Sequence, residues 1–340
     1  MTAVPRVGLA GYGLGGRRFH APPLREAGLP IVAVATSDPA RVAQVREELP
    51  DATVVPDLAA LLEQDLDLVV LATHSGVHAA QALQVIEAGR PVVVDKPLGV
   101  NAREAREVVE TAAARGVPLA VFQNRRFDPA HATLHGLLAA GRLGEVYRHE
   151  FRWERWRPQP RHRWREEATA AEGGGILLDL GTHLVDAAVD LFGPVRTVYA
   201  EITAHTTPAD DDDFLACRHE SGVVSHLGTM SASAAPGPRL RVLGSEAAYL
   251  LGEFEDDVLI FPDLANAGPD HSGWLHRGAE REPVPAVPVS HADFYRGVAD
   301  ALATDDPQAA MPVDPRDAVH VMEVLDAART SATRGTVERP

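Results

Sequence analysis

RVGLAGYGLGG, residues 6–16, is the stretch that decides the fold. Its apolar run from Val7 to Ala10 reads as a short buried strand. Gly11, Gly13 and Gly16 follow at once in GxGxxG spacing, with Leu14 and Gly15 between them, and a helix is expected from about Gly16 toward Gly28. A strand, a tight glycine turn and a helix start make a bare backbone for a pyrophosphate, and the helix N-terminus offers it free N–H groups. The motif predicts a dinucleotide site.

Working outward, further strands recur between helical segments. IVAVAT (31–36), LDLVVLA (66–72), PVVV (91–94) and 117–122 read as strands, with helices expected over 77–88 and 101–115. That alternation predicts a doubly wound parallel sheet, whose ligands lie beyond the carboxyl ends of the strands. Gly11, Thr36, Thr73 and the Asp95-Lys96-Pro97 turn all fall at such ends. About twenty residues past the glycines, where a carboxylate would hold an NAD ribose, stand Thr36 and Ser37, with Arg41 within reach. Two hydroxyls and a guanidinium suit a 2′-phosphate, so NADP(H) is favoured over NAD(H). The competing reading is that Ser37 or Asp38 merely caps the helix entered at Pro39. His74 and His78 are candidates to line the cofactor site, although a capping or solvated role suits a lone histidine equally. Lys96, fixed ahead of Pro97, is a candidate proton donor or acceptor for an alcohol; the plainer alternative is a strand-end lysine in water.

The alternating pattern ends near Gln123, which divides the chain into a dinucleotide domain, 1–123, and a second domain, 124–340. A helix near 130–140 and a strand over 146–153 lead into FRWERWRPQPRHRWR (151–165). Residues 152–165 carry six arginines and three of the four tryptophans. Nucleic-acid binding is disfavoured by the formal charge of −16 and by Pro158 and Pro160, which prevent a regular basic helix. An arginine loop stacked on its own tryptophans, or closing over an anionic cofactor, fits better. Next comes GGGILLDLGTHLVD (173–186), a glycine-led helix in which Asp179 and His183, four residues apart, share a face and could handle protons. Strands are expected at 198–204, 214–229, 240–245 and 248–261, a loop over 262–288, and helices near 292–303 and 315–333. The acidic run Asp210 to Asp213 reads as a solvated turn rather than a metal site, and no metal is expected.

Length favours two domains. One cysteine, Cys217, excludes an internal disulfide and favours a reducing cytoplasm. No signal peptide precedes the first apolar run and no apolar stretch suffices to span a bilayer, so a cytoplasmic protein without a membrane partner is expected.

GYGLGG, DKP (95–97), NRRFD (124–128), Trp164-Arg165, GGGILLDLGTHLVD and DDFLACRHESG (212–222) together resemble the glucose–fructose oxidoreductase / myo-inositol dehydrogenase family over essentially the whole chain. TSDP (36–39), FQNRRFD (122–128) and RWRE (163–166) resemble most its NADP(H)-dependent scyllo-inositol dehydrogenase-like branch. The resemblance implies a Rossmann domain followed by an α+β domain with a large open, mainly antiparallel sheet, through whose outer face relatives form dimers or tetramers. It implies Lys96, Asp179 and His183 as catalytic residues, Trp164 and Arg165 closing over the nicotinamide, and Asn124 near the cleft. Two departures stand out: Asp95 replaces the usual glutamate before the lysine, and His74 replaces a proline. The expected activity is hydride transfer between NADP(H) and a secondary alcohol of a polyol, inositol or sugar, with Arg163 among the substrate-side residues. His183 and Lys96 compete as the general base. The alternatives are an NAD-dependent enzyme of the same class, a non-catalytic dinucleotide-binding regulator, or a metal-dependent lyase built on Asp179, His183 and Asp186.

Overall fold

A computed structural model describes residues 4–252 and 261–340. The chain forms two compact units, one comprising the chain as far as Asn124 together with Ser290–Val319, the other Arg125–Val289 with His320–Pro340.

The first unit is built on six parallel strands, β1 (Val7–Ala10), β2 (Ile31–Ala35), β3 (Thr53–Val55), β4 (Leu68–Leu71), β5 (Val92–Asp95) and β6 (Leu119–Phe122), in the order β3-β2-β1-β4-β5-β6. The sequences VGLA, LVVL and LAVF are buried at every position. Continuous apolar runs of this kind belong to parallel strands covered on both faces, so no polar alternation marks them. The order reverses between β1 and β4, which opens a crevice at their carboxyl ends. The register pairs Ala10 with Leu71, so Gly11 and Ala72 leave the sheet side by side. Helices α1 (Ala21–Glu26), α2 (Pro39–Glu48), α3 (Leu58–Leu62), α4 (His78–Glu87) and α5 (Ala102–Arg115) alternate with these strands. Between β1 and α1 the chain takes a π-helical turn, Gly15–His20. The short β3 and α3 lie in a stretch where the sequence shows no sustained periodicity.

The second unit carries α6 (Pro129–Ala139), β7 (Val146–Glu154), the single turn α7 (Trp164–Glu167), and α8 (Thr182–Phe192). Strands β8 (Val195–Thr203), β9 (Asp212–His219), β10 (Val224–Met230), β11 (Leu240–Gly244), β12 (Ala248–Leu251), β13 (His271–Arg277) and β14 (Glu280–Pro285) follow. They make an eight-stranded sheet, β14-β13-β12-β11-β7-β10-β9-β8, antiparallel everywhere except where β7 runs parallel to β10. In β9 and β10 every second residue is buried, the period-two signature of a sheet with one face packed. Leu134 and Leu137 of α6 pack with Val242, Tyr249 and Leu275 of the sheet. The chain closes with α9 (His291–Leu302) and α10 (Pro315–Arg334).

Two expectations need correction. The segment 262–288 is not a loop throughout, because β13 and β14 form a hairpin within it. Its prolines concealed this: Pro283 and Pro285 sit on β14, an edge strand, where a missing N–H breaks no ladder bond. The acidic run is not a solvated turn either. Asp211 and Asp213 are each only 2 % exposed, and Asp211 accepts the backbone N–H groups of His205 and Thr206. Asp213 accepts from the Thr229 hydroxyl, and burial reinforced by Asp210 pushes its carboxyl up to about 9. Of the strand expected over 248–261, β12 is seen, and residues 253–260 lie outside the described part.

Candidate functional site

In the first unit the glycine turn is shaped by what surrounds it. Gly11 has φ +92°, and a Cβ there would stand 2.7 Å from the Ala72 carbonyl oxygen across the crevice. A Cβ on Gly16 would come within 2.0 Å of the Gly11 carbonyl oxygen. Only bare backbone closes this turn, which leaves a cradle at a helix start of the kind that accepts a pyrophosphate. Leu14, 61 % exposed, lies on its rim. At Gly13 a Cβ would lie 3.6 Å from the guanidinium carbon of Arg41, so that cation stands directly beside the turn. Asp38, not Ser37, caps α2 by accepting from the N–H groups of Ala40 and Arg41. Ser37 is left exposed, while Thr36 is buried and its N–H donates to the Val55 carbonyl. The residues thus fit an NAD(P) dinucleotide: glycine cradle, helix start and flanking arginine are all in place.

At the carboxyl end of β4 the Thr73 hydroxyl donates to Gln81, and His74 is exposed ahead of a short 3₁₀ turn, Ser75–Val77. His78 turns inward at the same strand end. It is 1 % exposed, with Nδ1 2.7 Å from the Pro97 carbonyl and Nε2 3.2 Å from the Thr73 carbonyl, and so braces two loops against each other. Burial pushes its pKa down.

Lys96 follows β5 through a cis peptide to Pro97, and its backbone N–H is held by Asp95 at 2.8 Å. Burial alone would raise the Asp95 carboxyl, yet the neighbouring His20, Lys96 and His78 hold it down at about 2. His20 is fully buried against Phe122, with ring centroids 4.4 Å apart. Its Nδ1 lies 2.5 Å from the Tyr295 hydroxyl, and its Nε2 faces Asp95 at 3.5 Å. Burial first, then Asp95, raises the Tyr295 phenol well above its ordinary value, so the phenol keeps its proton beside the ring. The chain Tyr295–His20–Asp95 supports the lysine turn from behind. Nothing in the sequence pointed to it, because His20 and Tyr295 are 275 positions apart.

In the second unit the glycine-led segment opens with a π-helical turn, Leu177–Gly181, before α8 begins. Such turns re-aim side chains relative to simple α-helical spacing. Asp179, 26 % exposed, pairs with Arg165 at 3.2 Å, while His183, 6 % exposed, stacks on Trp153 with ring centroids 5.6 Å apart. A cavity of about 100 Å³ opens beside Asp179, walled by Arg155, Arg157, Arg163, Arg165 and Thr206. The predicted residues Arg163, Arg165 and Asp179 therefore line one cavity, with the exposed Trp164 over the Arg165 guanidinium. Asn124 is buried at the end of the first unit.

Several features escaped the sequence. Trp153, on β7, gathers the guanidinium groups of Arg125, Arg155 and Arg239 at 4.8, 5.2 and 4.1 Å from its ring. The tryptophan–arginine stacking expected of the 151–165 stretch is present, but two of the three cations come from elsewhere in the chain. Asp186 accepts from Arg126 at 3.0 and 2.7 Å, and the same guanidinium reaches Asp190 at 2.9 Å. Among the described residues no three His, Cys, Asp or Glu converge as metal ligands would. The glycines at 174 and 175 are demanded by the protein itself. A Cβ on Gly174 would fall 1.9 Å from the Ala168 carbonyl oxygen, and one on Gly175 1.9 Å from Asp210.

The fold and the turn define an oxidoreductase of the NAD(P)-binding Rossmann class. Residues 5–123 match the model of the oxidoreductase family with NAD-binding Rossmann fold, and residues 131–250 match the GFO/IDH/MocA C-terminal domain. The chain belongs to the GFO/IDH/MocA oxidoreductase family. An uncharacterised oxidoreductase of Escherichia coli (strain K12), YdgJ, is 36% identical over 96% of this chain and 96% of its own. The scyllo-inositol 2-dehydrogenase (NADP(+)) IolW of Bacillus subtilis (strain 168) is 29% identical over 96% of this chain and 93% of its own. The solved oxidoreductase yvaA from Bacillus subtilis superposes with a TM-score of 0.86 at 29% identity, covering 98% of each chain. The relatives include dehydrogenases of inositols. No helix among the described residues is long and apolar enough to cross a membrane.

Proposed function

We propose that this enzyme transfers a hydride between NADP(H) and a secondary alcohol or ketone of a polyol, inositol or sugar. The observation that carries the reading is the arginine-walled cavity at Asp179, a polar recess lined by guanidinium donors and carboxylates, groups that suit a hydroxyl-rich substrate. Similarity to a scyllo-inositol 2-dehydrogenase supports the substrate class, and the NADP(+) in that relative's name supports the cofactor. What a nicotinamide supplies when bound is a hydride acceptor or donor. Gly11, Gly13, Leu14, Gly15 and Gly16 hold the pyrophosphate, Thr36, Ser37 and Arg41 the 2′-phosphate, and Thr73, His74, Trp164 and Arg165 flank the ring end. His183 takes the hydroxyl proton, and Asp179 positions that hydroxyl. Lys96 donates to the carbinol oxygen and stabilises its developing charge, a contribution of about 2–4 kcal/mol for one well-placed donor. Asn124 and Arg163 hold the rest of the substrate. The protein assembles as a homodimer or homotetramer through the outer sheet face, where Phe214 is exposed.

A panel of inositols, aldoses and polyols run with NADP+ and NAD+ tests the reading. Turnover of at least one of them with NADP+ is expected, and Lys96→Ala should lower kcat by orders of magnitude while NADPH affinity is retained. Lys96→Ala turnover equal to that of the unaltered enzyme would end the catalytic assignment. Dinucleotide binding with no turnover across the panel would favour a non-catalytic regulator.

A further inference from the structure

Asp210 lines the same cavity as Asp179, and hydride transfer as described above gives it no part. Its bonds run to the segment that carries Asp179. Where the π-helical turn begins, four successive N–H groups find their acceptors elsewhere in the chain. Gly174 donates to the Thr169 carbonyl at 2.9 Å and Gly175 to the Arg165 carbonyl at 2.9 Å. Ile176 donates to the Asp210 carbonyl at 3.1 Å, and Leu177 donates to Asp210 Oδ2 at 2.7 Å. The first N–H groups of a helical turn have no partner within it, and a carboxylate is a favourable acceptor there. Ile176, at the N-cap, carries no capping side chain, so the acceptor comes from Asp210, 33 positions from Leu177.

The other carboxylate oxygen is placed as closely. Gly175 has φ +87°, and a Cβ there would stand 1.9 Å from Asp210 Oδ1, so the bare glycine lies directly against the carboxylate. Asp179 N–H donates to the Gly175 carbonyl at 3.3 Å. Its side chain pairs with Arg165 at 3.2 Å, the residue whose own carbonyl takes the Gly175 N–H. Asp210 therefore grips the turn at Leu177 and at Gly175, and Asp179 is bonded to the second of these. A group that must meet a substrate hydroxyl has little tolerance, since a displacement of about 1 Å can cost about a hundredfold in rate.

We propose that Asp210 is a positioning residue: its side chain clamps the start of the π-helical turn and thereby aims the Asp179 carboxylate at the substrate hydroxyl. The role rests on the assignment of that hydroxyl to Asp179 under the hydride-transfer reading.

Asp210→Ala removes the clamp and keeps the backbone carbonyl. With a polyol that the unaltered enzyme turns over, this variant should lower kcat about 10- to 100-fold. Its NADPH affinity, read by calorimetric titration, should stay within about twofold. Hydrogen exchange at the Leu177 amide should quicken at least about tenfold while amides of the first unit keep their rates, which separates loss of the clamp from loss of the fold. In an Asp179→Asn background, Asp210→Ala should cost less than about threefold more, because the effect runs through Asp179. If Asp210→Ala does not fold, Asp210→Glu carries the test: one methylene longer, it cannot keep the same seat against Gly175 and should lower kcat at least about fivefold. Unchanged kcat in the folded variant overturns the proposal, as does a loss that persists in full with Asp179→Asn. Absence of turnover in the unaltered enzyme is a different failure, which removes the hydride-transfer reading and this role with it, whatever the exchange rates.

Discussion

Replacing Arg41 with alanine tests whether the cation beside the glycine turn selects the phosphorylated cofactor. The guanidinium stands 3.6 Å from where a Gly13 Cβ would be, which puts it over the turn. Its protein partner is Asp38 at 3.7 Å, and both side chains are about half exposed, at 49% and 48%. A solvent-exposed pair of that length contributes at most about 1 kcal/mol, so a 2′-phosphate can recruit the arginine at little expense. A charge-assisted hydrogen bond contributes about 1.5–3 kcal/mol, and subtracting the lost Asp38 contact leaves roughly 1–2 kcal/mol for the phosphate. NADPH should therefore bind about 5- to 30-fold more weakly to Arg41→Ala, while NADH affinity changes less than about twofold. The effect should shrink as salt is raised, since the site is open to solvent. Calorimetric titration of both cofactors at two ionic strengths measures it. Thr36→Asp tests the same site from the other side, because a carboxylate at the buried end of β2 repels the phosphate and should shift preference toward NADH. Equal loss for both cofactors in Arg41→Ala, or no loss for either, would refute the selectivity argument.

Three further substitutions follow from burial. Arg126→Met strands Asp186, 2 % exposed, and leaves Asp190 paired with His131 alone among the described ion pairs; urea unfolding should report a loss of about 3–5 kcal/mol, and a loss under about 1 kcal/mol would contradict the pairing. Asp213 should be protonated in the folded protein and ionised in the unfolded chain between its ordinary value of about 4 and its folded value of about 9. The native state then holds a proton that the unfolded state lacks, so stability falls as pH rises through that window. Asp213→Asn removes the dependence, so its Tm should match the unaltered protein's below about pH 4 and exceed it increasingly toward pH 9; parallel Tm curves would show otherwise. Gly174→Ala drives a methyl into the Ala168 carbonyl and should lower Tm sharply and abolish turnover, whereas an unchanged Tm would mean that the glycine segment relaxes freely.

What the sequence makes legible here is whatever is local. The Rossmann turn could be recognised because its requirement is steric and sits within six residues, and the structure shows the steric reason at Gly11 and Gly16. The buried strands were legible because parallel strands covered on both faces leave uninterrupted apolar runs. The β13–β14 hairpin was hidden by prolines that an edge strand tolerates, and the acidic run misled because charge pattern carries no record of burial. At the candidate site the limit is the same. Asp179 and His183 stand out by spacing, but spacing on an α-helix assumes 3.6 residues per turn, and the π-helical turn Leu177–Gly181 breaks that assumption. The carboxylate meets Arg165 and the imidazole meets Trp153, so each functional group takes its setting from the arginine–tryptophan stretch. The density of arginine and tryptophan over 151–165 thus has a structural reason: the same residues stack the histidine, pair the aspartate and wall the cavity beside that aspartate. A stretch that invited a nucleic-acid reading from composition is, in three dimensions, the frame of a small polar pocket.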